Sequence, residues 1–521
     1  MDVHALHEAL LRPESYPEDV DRIIFRETHV SRLYFTERHV YKIKKPVDFG
    51  FLDFSTLERR AYYCGEEVRL NRRFCPDTYL GVREIRCSEG SIAIEGPGQT
   101  IEYAVYMMRL PEDRMLDRLL ASAASSLAGE MARVGRRIAE LHRDSTICRG
   151  PAEPVDLETV RRNWKENFEQ TLPSIGKTLS AGTHRWCSAY VDRFLQRNAG
   201  LMRRRQEEGF VREGHGDLHA EHICLTDPLR IYDCIEFNRR FRVADLAADL
   251  AFLVMDLDYR NRRDLAGILR NAYLATVNGG PGIETLLPFY QVYRAYVRGK
   301  VESFLAQDSA AAATVRQAAA TRARRYFALA LGYLCPQVLI LTCGLMGTGK
   351  STVGKALANF LDGALLRSDR IRKELAGREE TENRREGFGE GIYTSEFSRR
   401  TYDLLLERCT QTLREGQAAV ADASFMRKAD RDRFRDTARH LGIPLLILHV
   451  HCAEGTARRR LDQRQARGRD PSEGRRELFA RQAETFEPPA GRDVIRVDTA
   501  LDVDYNVQLI FREILERVGL E

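Results

Sequence analysis

The chain has 521 residues, of which 43% are hydrophobic and 30% charged, and its formal net charge is +5. At about 100–200 residues per domain, this length predicts two to four domains, each with its own core. No run of about 18 apolar residues occurs, which excludes a membrane-spanning helix. The small net charge does not require a nucleic-acid partner. The composition therefore favours a globular protein.

The eleven cysteines stand singly along the chain, and no two form a C-x-x-C pair. This spacing disfavours both a disulfide framework and a structural zinc site, and it suits a reducing compartment. The first residues contain no basic segment followed by an apolar one, so we expect no secretory signal. Together these features predict a cytoplasmic location.

The order of elements predicts two domains. Strands are expected at 31–36, 39–45, 91–96 and 101–110, a helix over 55–73, mostly helices over 115–333 with one strand pair at 222–233, and an alanine-rich helical stretch over 306–334. After Pro336 a buried strand begins an alternation of strands and helices, which predicts an α/β domain with a parallel sheet and helices on both faces. We place the boundary near residue 335. The predicted domains are 1–334, divided into about 20–110 and a helical part of about 111–334, and 335–521.

The segment after the first strand of the second domain matches G-x-x-x-x-G-K-[ST]. In this pattern the glycines let main-chain amides surround phosphates, the lysine contacts the β- and γ-phosphates, and the serine hydroxyl binds Mg²⁺. The alternative is a glycine-rich turn that binds no ligand. The predicted nucleotide-binding residues are Gly344, Leu345, Met346, Gly347, Thr348, Gly349, Lys350, Ser351 and Thr352.

Two later strands of this domain each end near an aspartate. Carboxylates at the carboxyl ends of parallel strands lie where open α/β sheets bind ligands. Asp369 is therefore a candidate to position or deprotonate an acceptor hydroxyl, and Asp422 a candidate Mg²⁺ ligand together with Ser351. For both aspartates the alternative is a helix N-cap.

Eight arginines lie between Arg458 and Arg476. We interpret this segment as a lid that closes over the phosphates, with Arg464 and Arg467 as the candidates that stabilise the transferring group. A solvated helix face is one alternative, because acidic residues are interleaved. A nucleic-acid surface is less favoured, because aromatic residues are lacking there.

The order of these motifs resembles the small P-loop kinases, which include gluconate kinase, the 5′-hydroxyl polynucleotide kinases, chloramphenicol phosphotransferase and the zeta-type toxins. The similarity covers about 338–521 and includes the D-P-S-E segment at 470–473 and the strand at 494–499. It implies phosphoryl transfer from ATP to a hydroxyl group. The acceptor differs among these kinases and is not implied.

In the first domain, a predicted hairpin follows the motif His215-Gly216-Asp217. Because the hairpin returns the chain to its starting end, Asp217 and Asp233 should lie together. Two adjacent carboxylates repel each other unless a cation or a proton compensates their charge. A general base beside a Mg²⁺ ligand is an arrangement in which the metal ion provides that compensation. The motif resembles the catalytic loop of the aminoglycoside phosphotransferases. That resemblance implies a bilobal, protein-kinase-like α+β fold over roughly 20–300, with Asp217 as the base and Asp233 as the metal ligand.

One position departs from the aminoglycoside phosphotransferase pattern. The second metal ligand of that family is an asparagine, and His222 stands in its place. Imidazole binds Mg²⁺ poorly, so this metal would be lost or held by Glu221 or water, or the activity would be reduced. A zinc site formed by His215, His219 and His222 is an alternative, and a purely structural hairpin is another.

The strand at 39–45 places Lys42 and Lys44 on one face. A kinase of this type needs one lysine on the nucleotide phosphates, oriented by a glutamate from a helix. Lys42 is the preferred candidate, with Glu66 or Glu67 as its partner. The alternative is an exposed, basic edge strand.

The whole chain resembles fused proteins in which an aminoglycoside-phosphotransferase-like domain precedes a P-loop kinase domain. We therefore expect a bifunctional, ATP- and Mg²⁺-dependent phosphotransferase that acts on a small-molecule hydroxyl. One alternative is a P-loop kinase whose first domain only binds substrate or regulates. The other is a nucleic-acid 5′-hydroxyl kinase, which predicts steep salt dependence. The choice between ATP and GTP, the coupling of the sites and the oligomeric state stay open.

Overall fold

The computed structural model describes residues 3–122, 127–149, 157–277, 279–378, 391–467 and 476–518. The chain separates into two compact units. The first comprises 1–163 and 195–291, and the second comprises 164–194 and 292–521. Residue 335 lies within the second unit, so the domain boundary expected there does not coincide with the division between compact units and stays a prediction. Each unit is described by itself.

The secondary structure of the described residues alternates between strand-rich and helix-rich segments. The strands are β1 (Ile24–Glu27), β2 (Ser31–Phe35), β3 (His39–Lys44), β4 (Tyr79–Ser88), β5 (Ser91–Ile94), β6 (Gln99–Met108), β7 (Val211–Glu213), β8 (Ile223–Cys224), β9 (Arg230–Ile231), β10 (Val243–Asp245), β11 (Leu339–Cys343), β12 (Ala364–Arg367), β13 (Ala419–Asp422), β14 (Leu445–His451) and β15 (Val494–Asp498). The helices are α1 (Val3–Leu10), α2 (Leu57–Asn71), α3 (Leu116–Ala121), α4 (Ala128–Asp144), α5 (Leu157–Thr171), α6 (Ala181–Glu207), α7 (Arg239–Arg242), α8 (Leu246–Tyr259), α9 (Arg263–Thr276), α10 (Ile283–Gln307), α11 (Ala313–Gly332), α12 (Lys350–Leu361), α13 (Ser368–Leu375), α14 (Ser395–Arg414), α15 (Lys428–Leu441), α16 (Glu454–Arg467), α17 (Arg476–Thr485) and α18 (Val503–Val518).

The first unit begins with a six-stranded antiparallel sheet in the order β1-β2-β3-β6-β4-β5. Side chains alternate across β3, so Tyr41 and Ile43 join the apolar cluster on the face that also contacts α1. The other face of the sheet packs against α2 through Cys64 and Val68. Because Lys42 and Lys44 alternate with Tyr41 and Ile43, they lie on the α2 side of the sheet. The expectation of an exposed basic edge strand is wrong, because β3 is an interior strand.

The helical part of the first unit surrounds two short strand pairs. The predicted hairpin is confirmed, because β8 and β9 pair antiparallel. A second antiparallel pair, β7 with β10, was not expected from the sequence. Helix α4 packs on α9 at Gly135, where an added Cβ would lie 2.5 Å from the carbonyl oxygen of Leu269. A glycine is therefore required at this helix crossing.

The second unit contains a five-stranded parallel sheet in the order β12-β13-β11-β14-β15, which confirms the predicted α/β architecture. One face of the sheet packs against α14 and α15 in a continuous apolar core. Helix α12 covers the other face, where Gly354 approaches Thr342 and Val420. Helix α18 packs on α11 and α12. Because all five strands are parallel, their carboxyl ends lie along one edge of the sheet.

The alanine-rich stretch is not one helical segment from residue 306. Helix α10 ends at Gln307, and the Asp308 carboxylate accepts a hydrogen bond of 2.9 Å from the amide of Ala310, which turns the chain before α11 begins at Ala313. All eleven cysteines are free thiols. Within the described ranges, none of the helices is long and apolar enough to cross a bilayer.

Candidate functional site

The glycine-rich loop connects the fully buried strand β11 to α12. Gly344, Gly347 and Gly349 all have positive φ angles, of 143°, 76° and 95°. A Cβ added to Gly344 would lie 2.3 Å from the Val450 carbonyl oxygen, and one added to Gly347 would lie 2.6 Å from that of Ala457. Both the backbone conformation and the lack of space therefore demand glycine here. The three glycines thus give the loop the backbone freedom that the predicted phosphate binding by main-chain amides depends on.

The surrounding elements hold this loop through specific hydrogen bonds. The carbonyl of Thr348 accepts bonds from the Thr499 hydroxyl (2.7 Å) and from the Arg460 guanidinium (3.4 Å). The Lys350 ammonium donates to the carbonyl of Leu345 at 2.8 Å. The sequence pattern placed Arg460 within a lid segment, but the side chain supports the loop.

A side chain from α17 reaches the same loop. The amide of Met346 donates to the Gln482 side-chain oxygen at 2.7 Å, and Met346 also packs beside Phe479 of α17 and Leu461 of α16. A main-chain amide of the glycine loop, which is predicted to bind phosphate, is thus engaged by a glutamine of the chain itself. The sequence analysis did not identify Gln482, since nothing local marks it.

Asp422 ends β13 directly beside Thr342 of β11, as the parallel register requires. Its carboxylate is buried and accepts hydrogen bonds from the Thr342 hydroxyl (3.1 Å) and the Arg367 guanidinium (3.2 Å). Ser351 and Thr352 lie in the first turn of α12. A carboxylate and a serine hydroxyl are hard oxygen donors, which fit Mg²⁺. Bound there, Mg²⁺ would supply charge that screens a triphosphate.

Asp369 lies in the first turn of α13, two residues after β12 ends at Arg367. The N-cap position belongs to Arg367 and has no side-chain capping bond, so Asp369 is not the helix cap. Its carboxylate is partly exposed. These positions leave its role with an acceptor as a prediction.

The lid prediction falls largely outside the described part of the chain. Arg464 and Arg467 belong to α16, but their side chains lie outside the described residues, as do residues 468–475 with the D-P-S-E segment. Arg458 is described, and it contacts Glu454 at 2.6 Å and the Phe479 ring. The lid therefore stays a prediction.

In the first unit, a buried network of charges joins β3, α2 and the segment after β9. Lys42 Nζ lies 2.8 Å from Glu67 and 2.6 Å from Asp233, and Lys44 Nζ lies 2.6 Å from the other oxygen of Glu67 and also contacts Glu236. Glu67 and Lys44 are almost completely buried. Between the two predicted glutamates, Glu67 contacts Lys42.

The other glutamate points elsewhere, since Glu66 forms a bidentate pair with Arg69 at 2.7 Å. Burial by itself would raise the pKa of Glu67, but the charges of Lys42 and Lys44 hold that pKa below its usual range. Likewise the pKa of Lys42 stays well above its usual value, because the neighbouring carboxylates outweigh burial. Glu67 and Lys42 are therefore both charged, whereas burial raises the pKa of Glu236, the partner of Lys44.

The His215-Gly216-Asp217 motif is held by helix α8. The Asp249 carboxylate accepts hydrogen bonds from the amides of His215 (2.6 Å) and Gly216 (2.9 Å). Gly216 has a φ of 84°, and a Cβ there would lie 2.9 Å from the Phe241 carbonyl oxygen. These contacts fix the turn that presents Asp217.

Two acidic residues of α8, Asp249 and Asp256, hold this segment in place, and their role was not predicted from the sequence. Asp256 accepts a hydrogen bond from the amide of Ala220 at 2.9 Å, so α8 also fixes the chain three residues beyond the motif. The signal was present, because Asp249 and Asp256, together with Asp258, are buried acidic residues in a largely apolar helix. Acidic residues within a buried apolar stretch usually have a specific partner.

The two predicted carboxylates of this motif lie together, which confirms the geometric expectation. His222 lies between them, with Nδ1 3.7 Å from an oxygen of Asp217 and Nε2 3.5 Å from an oxygen of Asp233. Asp233 has a φ of 64° and its amide donates to the Tyr79 hydroxyl at 3.1 Å. Burial would raise the pKa of Asp233, but the charge of Lys42 holds that pKa below its usual range.

The three histidines of the alternative zinc site do not converge. His215 Nε2 bonds the carbonyl of Tyr232 at 2.9 Å, and burial lowers the pKa of His215 to about 4, which indicates a neutral structural ring. The side chains that do converge are Asp217, His219 and His222, whose ligand atoms all lie within 4.8 Å of one another. The carboxylates fit Mg²⁺, but the His222 imidazole does not.

Comparison with known proteins adds relatives for both regions. Residues 339–489 match the family model described as an AAA domain. Uncharacterized proteins of Mycobacterium tuberculosis and Mycobacterium bovis are each 28% identical over 403 residues, which is 77% of this chain and 78% of theirs. The similarity to these relatives thus extends well beyond the region that the AAA model matches.

Solved structures resemble each region at low identity. A gluconokinase of Sinorhizobium meliloti is 22% identical, covers 35% of this chain and 93% of its own, and has a TM-score of 0.26. The Mycobacterium tuberculosis APS kinase, solved with AMPPNP and APS, is 17% identical over 35% of this chain and 99% of its own, with a TM-score of 0.26. The aminoglycoside phosphotransferase APH(2″), solved with GDP and kanamycin, is 12% identical over 62% of this chain and 98% of its own, with a TM-score of 0.38. All three TM-scores are below 0.5, so the architecture rests on the strand order and loop geometry given above.

Proposed function

We propose that this protein is an ATP- and Mg²⁺-dependent phosphotransferase that transfers the γ-phosphoryl group to a hydroxyl of a small molecule. The observation that carries the proposal is the glycine loop between β11 and α12, with the Asp422 carboxylate at the adjoining strand end. In this proposal the amides of 344–351 bind the phosphates, and Lys350 neutralises the charge that develops on them. Ser351 and Asp422 hold Mg²⁺, and Asp369 positions the acceptor.

The first unit supplies a second proposed phosphotransfer site. Lys42 is proposed to contact nucleotide phosphates, and its ion pair with Glu67, which orients the ammonium group, supports this role. Asp217 is proposed as the base that accepts the acceptor proton, and Asp233 as a metal ligand. The proposal is supported by the ion pair between Lys42 and Glu67, which the kinase arrangement requires, and by the position of Asp233 beside Lys42. The eleven free cysteines support the further proposal that this chemistry takes place in the cytoplasm.

The test is transfer of label from γ-labelled ATP to a panel of metabolites, nucleosides, RNA ends and aminoglycosides. Lys350→Met should abolish transfer from the P-loop site, whereas Lys355→Met, an exposed lysine of the same helix, should retain it. Lys42→Met should abolish transfer from the second site, with Lys45→Met as its control. Transfer that survives both Lys350→Met and Lys42→Met in one chain would refute the site assignments.

A second candidate function is favoured by His222. In this alternative the first unit binds substrate or regulates the P-loop kinase without transferring phosphate, because an imidazole stands where the metal ligand is needed. His222→Asn distinguishes the two. A catalytic site limited by its metal should gain Mg²⁺-dependent activity, whereas a binding module should gain none.

A further inference from the structure

The cluster beside the predicted base has the composition of a transition-metal site. Asp217, His219 and His222 each place a ligand atom within 4.8 Å of those of the other two. His219 is buried, and His222 is largely buried, with 14% of its side chain exposed. Two imidazoles and a carboxylate form the mixed nitrogen and oxygen donor set that Zn²⁺ and related ions prefer, whereas Mg²⁺ prefers oxygen alone.

The spacing of the donor atoms agrees with this composition. His219 Nε2 lies 3.4 Å from Asp217 Oδ2, and His222 Nε2 lies 3.5 Å from Asp233 Oδ2. A tetrahedral ion with ligands about 2.1 Å away keeps them roughly 3.4 Å apart. Octahedral Mg²⁺ at a similar distance keeps neighbouring ligands roughly 3.0 Å apart. The separation of His219 Nε2 and Asp217 Oδ2 therefore equals that of neighbouring ligands around a tetrahedral ion.

The hydrogen bonding of His222 prepares one nitrogen for a metal. Its Nδ1 lies 2.9 Å from the carbonyl oxygen of Asp217, and a carbonyl can only accept, so Nδ1 carries a proton. In the neutral ring Nε2 then has a lone pair, and it faces the Asp233 carboxylate. Metal-bound histidines almost always donate their other N–H to a carbonyl or carboxylate in this way.

We infer that Asp217, His219 and His222 bind a divalent transition-metal ion of the Zn²⁺ class, with Asp233 as the nearest further donor. The ion would take the lone pair of His222 Nε2 together with the His219 imidazole and the Asp217 carboxylate. The inference does not depend on catalysis. It has one consequence for the proposed function, since an ion held by Asp217 engages the carboxylate proposed as the base and so suppresses transfer from that site.

The test uses the full chain, stripped of metal and free of nucleotide. Calorimetry should show one Zn²⁺ bound with a Kd at least about tenfold below that for Mg²⁺, and Co²⁺ should give the intense visible bands of tetrahedral coordination. His219→Gln and His222→Asn should each weaken Zn²⁺ binding by about tenfold or more, whereas His29→Gln, an exposed histidine of the same unit, should not. Zn²⁺ binding no tighter than Mg²⁺ binding, or unchanged affinity in both variants, would overturn the inference.

Two further measurements keep the result independent of folding and of the proposed function. In the unmodified chain, Zn²⁺ should protect His222 from diethyl pyrocarbonate while His29 stays reactive, and equal reactivity of His222 with and without Zn²⁺ contradicts the site. The Lys350→Met chain should keep its Zn²⁺ affinity even though it loses ATP. Failure of the metal site and failure of the P-loop proposal thus give different results.

Discussion

Two neighbouring lysines of β3 should have different importance for stability and for activity. Lys44 has 1% of its side chain exposed and contacts Glu67, of which nothing is exposed, and Glu236, which is 8% exposed. Lys44→Met therefore leaves two buried carboxylates with less compensation. Removal of one partner from a buried ion pair costs about 3–5 kcal/mol, because the remaining charge is desolvated.

Lys42→Met should destabilise the first unit less than Lys44→Met does. Glu67 keeps its contact with Lys44, and the Asp233 side chain is 36% exposed, so water compensates part of the lost charge. We expect a cost of about 1–2 kcal/mol. The same variant removes the ammonium group proposed for the nucleotide phosphates. Lys42→Met should thus remove activity of this site in a folded chain, and Lys44→Met should mainly destabilise it.

Amide hydrogen exchange measured by mass spectrometry can localise both effects. Peptides that cover β3 and α2 should exchange roughly 150- to 5,000-fold faster in Lys44→Met, and much less so in Lys42→Met. Peptides from the parallel sheet of the second unit serve as the internal control. Equal acceleration in both variants, or a cost below about 1 kcal/mol for Lys44→Met, would refute the argument from burial.

Three further predictions concern the second unit. Gly347→Ala should abolish ATP binding and lower the free energy of unfolding by about 1–3 kcal/mol, because the new Cβ would lie 2.6 Å from a carbonyl oxygen in a left-handed backbone conformation. Gly455→Ala, where the added Cβ has open space, is the control, and ATP calorimetry and thermal unfolding of the two variants test the prediction. Gln482→Ala should tighten ATP binding several-fold, about the net contribution of one hydrogen bond, because it frees a main-chain amide of the glycine loop. Gln317→Ala, which changes an exposed glutamine, should leave the affinity unchanged. Unchanged ATP affinity in Gln482→Ala would exclude competition between this side chain and ATP. Burial raises the pKa of Asp504 to about 6, so its contribution to stability is complete below about pH 3.8 and lost as the pH rises through 6. The Asp504→Asn protein should therefore be more stable than the unmodified chain by up to about 3 kcal/mol at pH 8, and the two should have the same stability near pH 4. Unfolding followed by tryptophan fluorescence measures this, because both tryptophans lie in this unit.

The P-loop and the parallel sheet could be predicted because their signals are local. A fully apolar strand, three spaced glycines and a following helix specify the loop without any distant contact, and the structure agrees at each of these points. The hairpin between 222 and 233 was predictable for the same reason. What holds the loop was not predictable, since Arg460 and Gln482 come from helices more than a hundred residues away.

The choice between Glu66 and Glu67 was open from the sequence, although helix periodicity contained the answer. Cys64 and Val68 lie four residues apart and form the buried stripe of α2, and Glu67 extends that stripe while Glu66 lies beside it. The second lysine and Glu236 could not be placed, because their pairing depends on how a loop nearly two hundred residues further along packs against β3. Local sequence patterns therefore predict which face of a helix or strand is buried, whereas the ion-pair partners of the residues on that face depend on distant parts of the chain.

The two candidate sites hold their lysines by different chemistry, which affects how each can serve a phosphate. Lys350 donates to a neutral carbonyl, whereas Lys42 contacts two carboxylates. A phosphate oxygen competes easily with a carbonyl for an ammonium group, because a bond between two charged groups is about twice as strong as one to a neutral acceptor. Lys42 has three N–H donors, two of which are directed at Glu67 and Asp233, so it can contact a phosphate without leaving either. Lys350 is therefore expected to change partner on nucleotide binding, while Lys42 keeps its position.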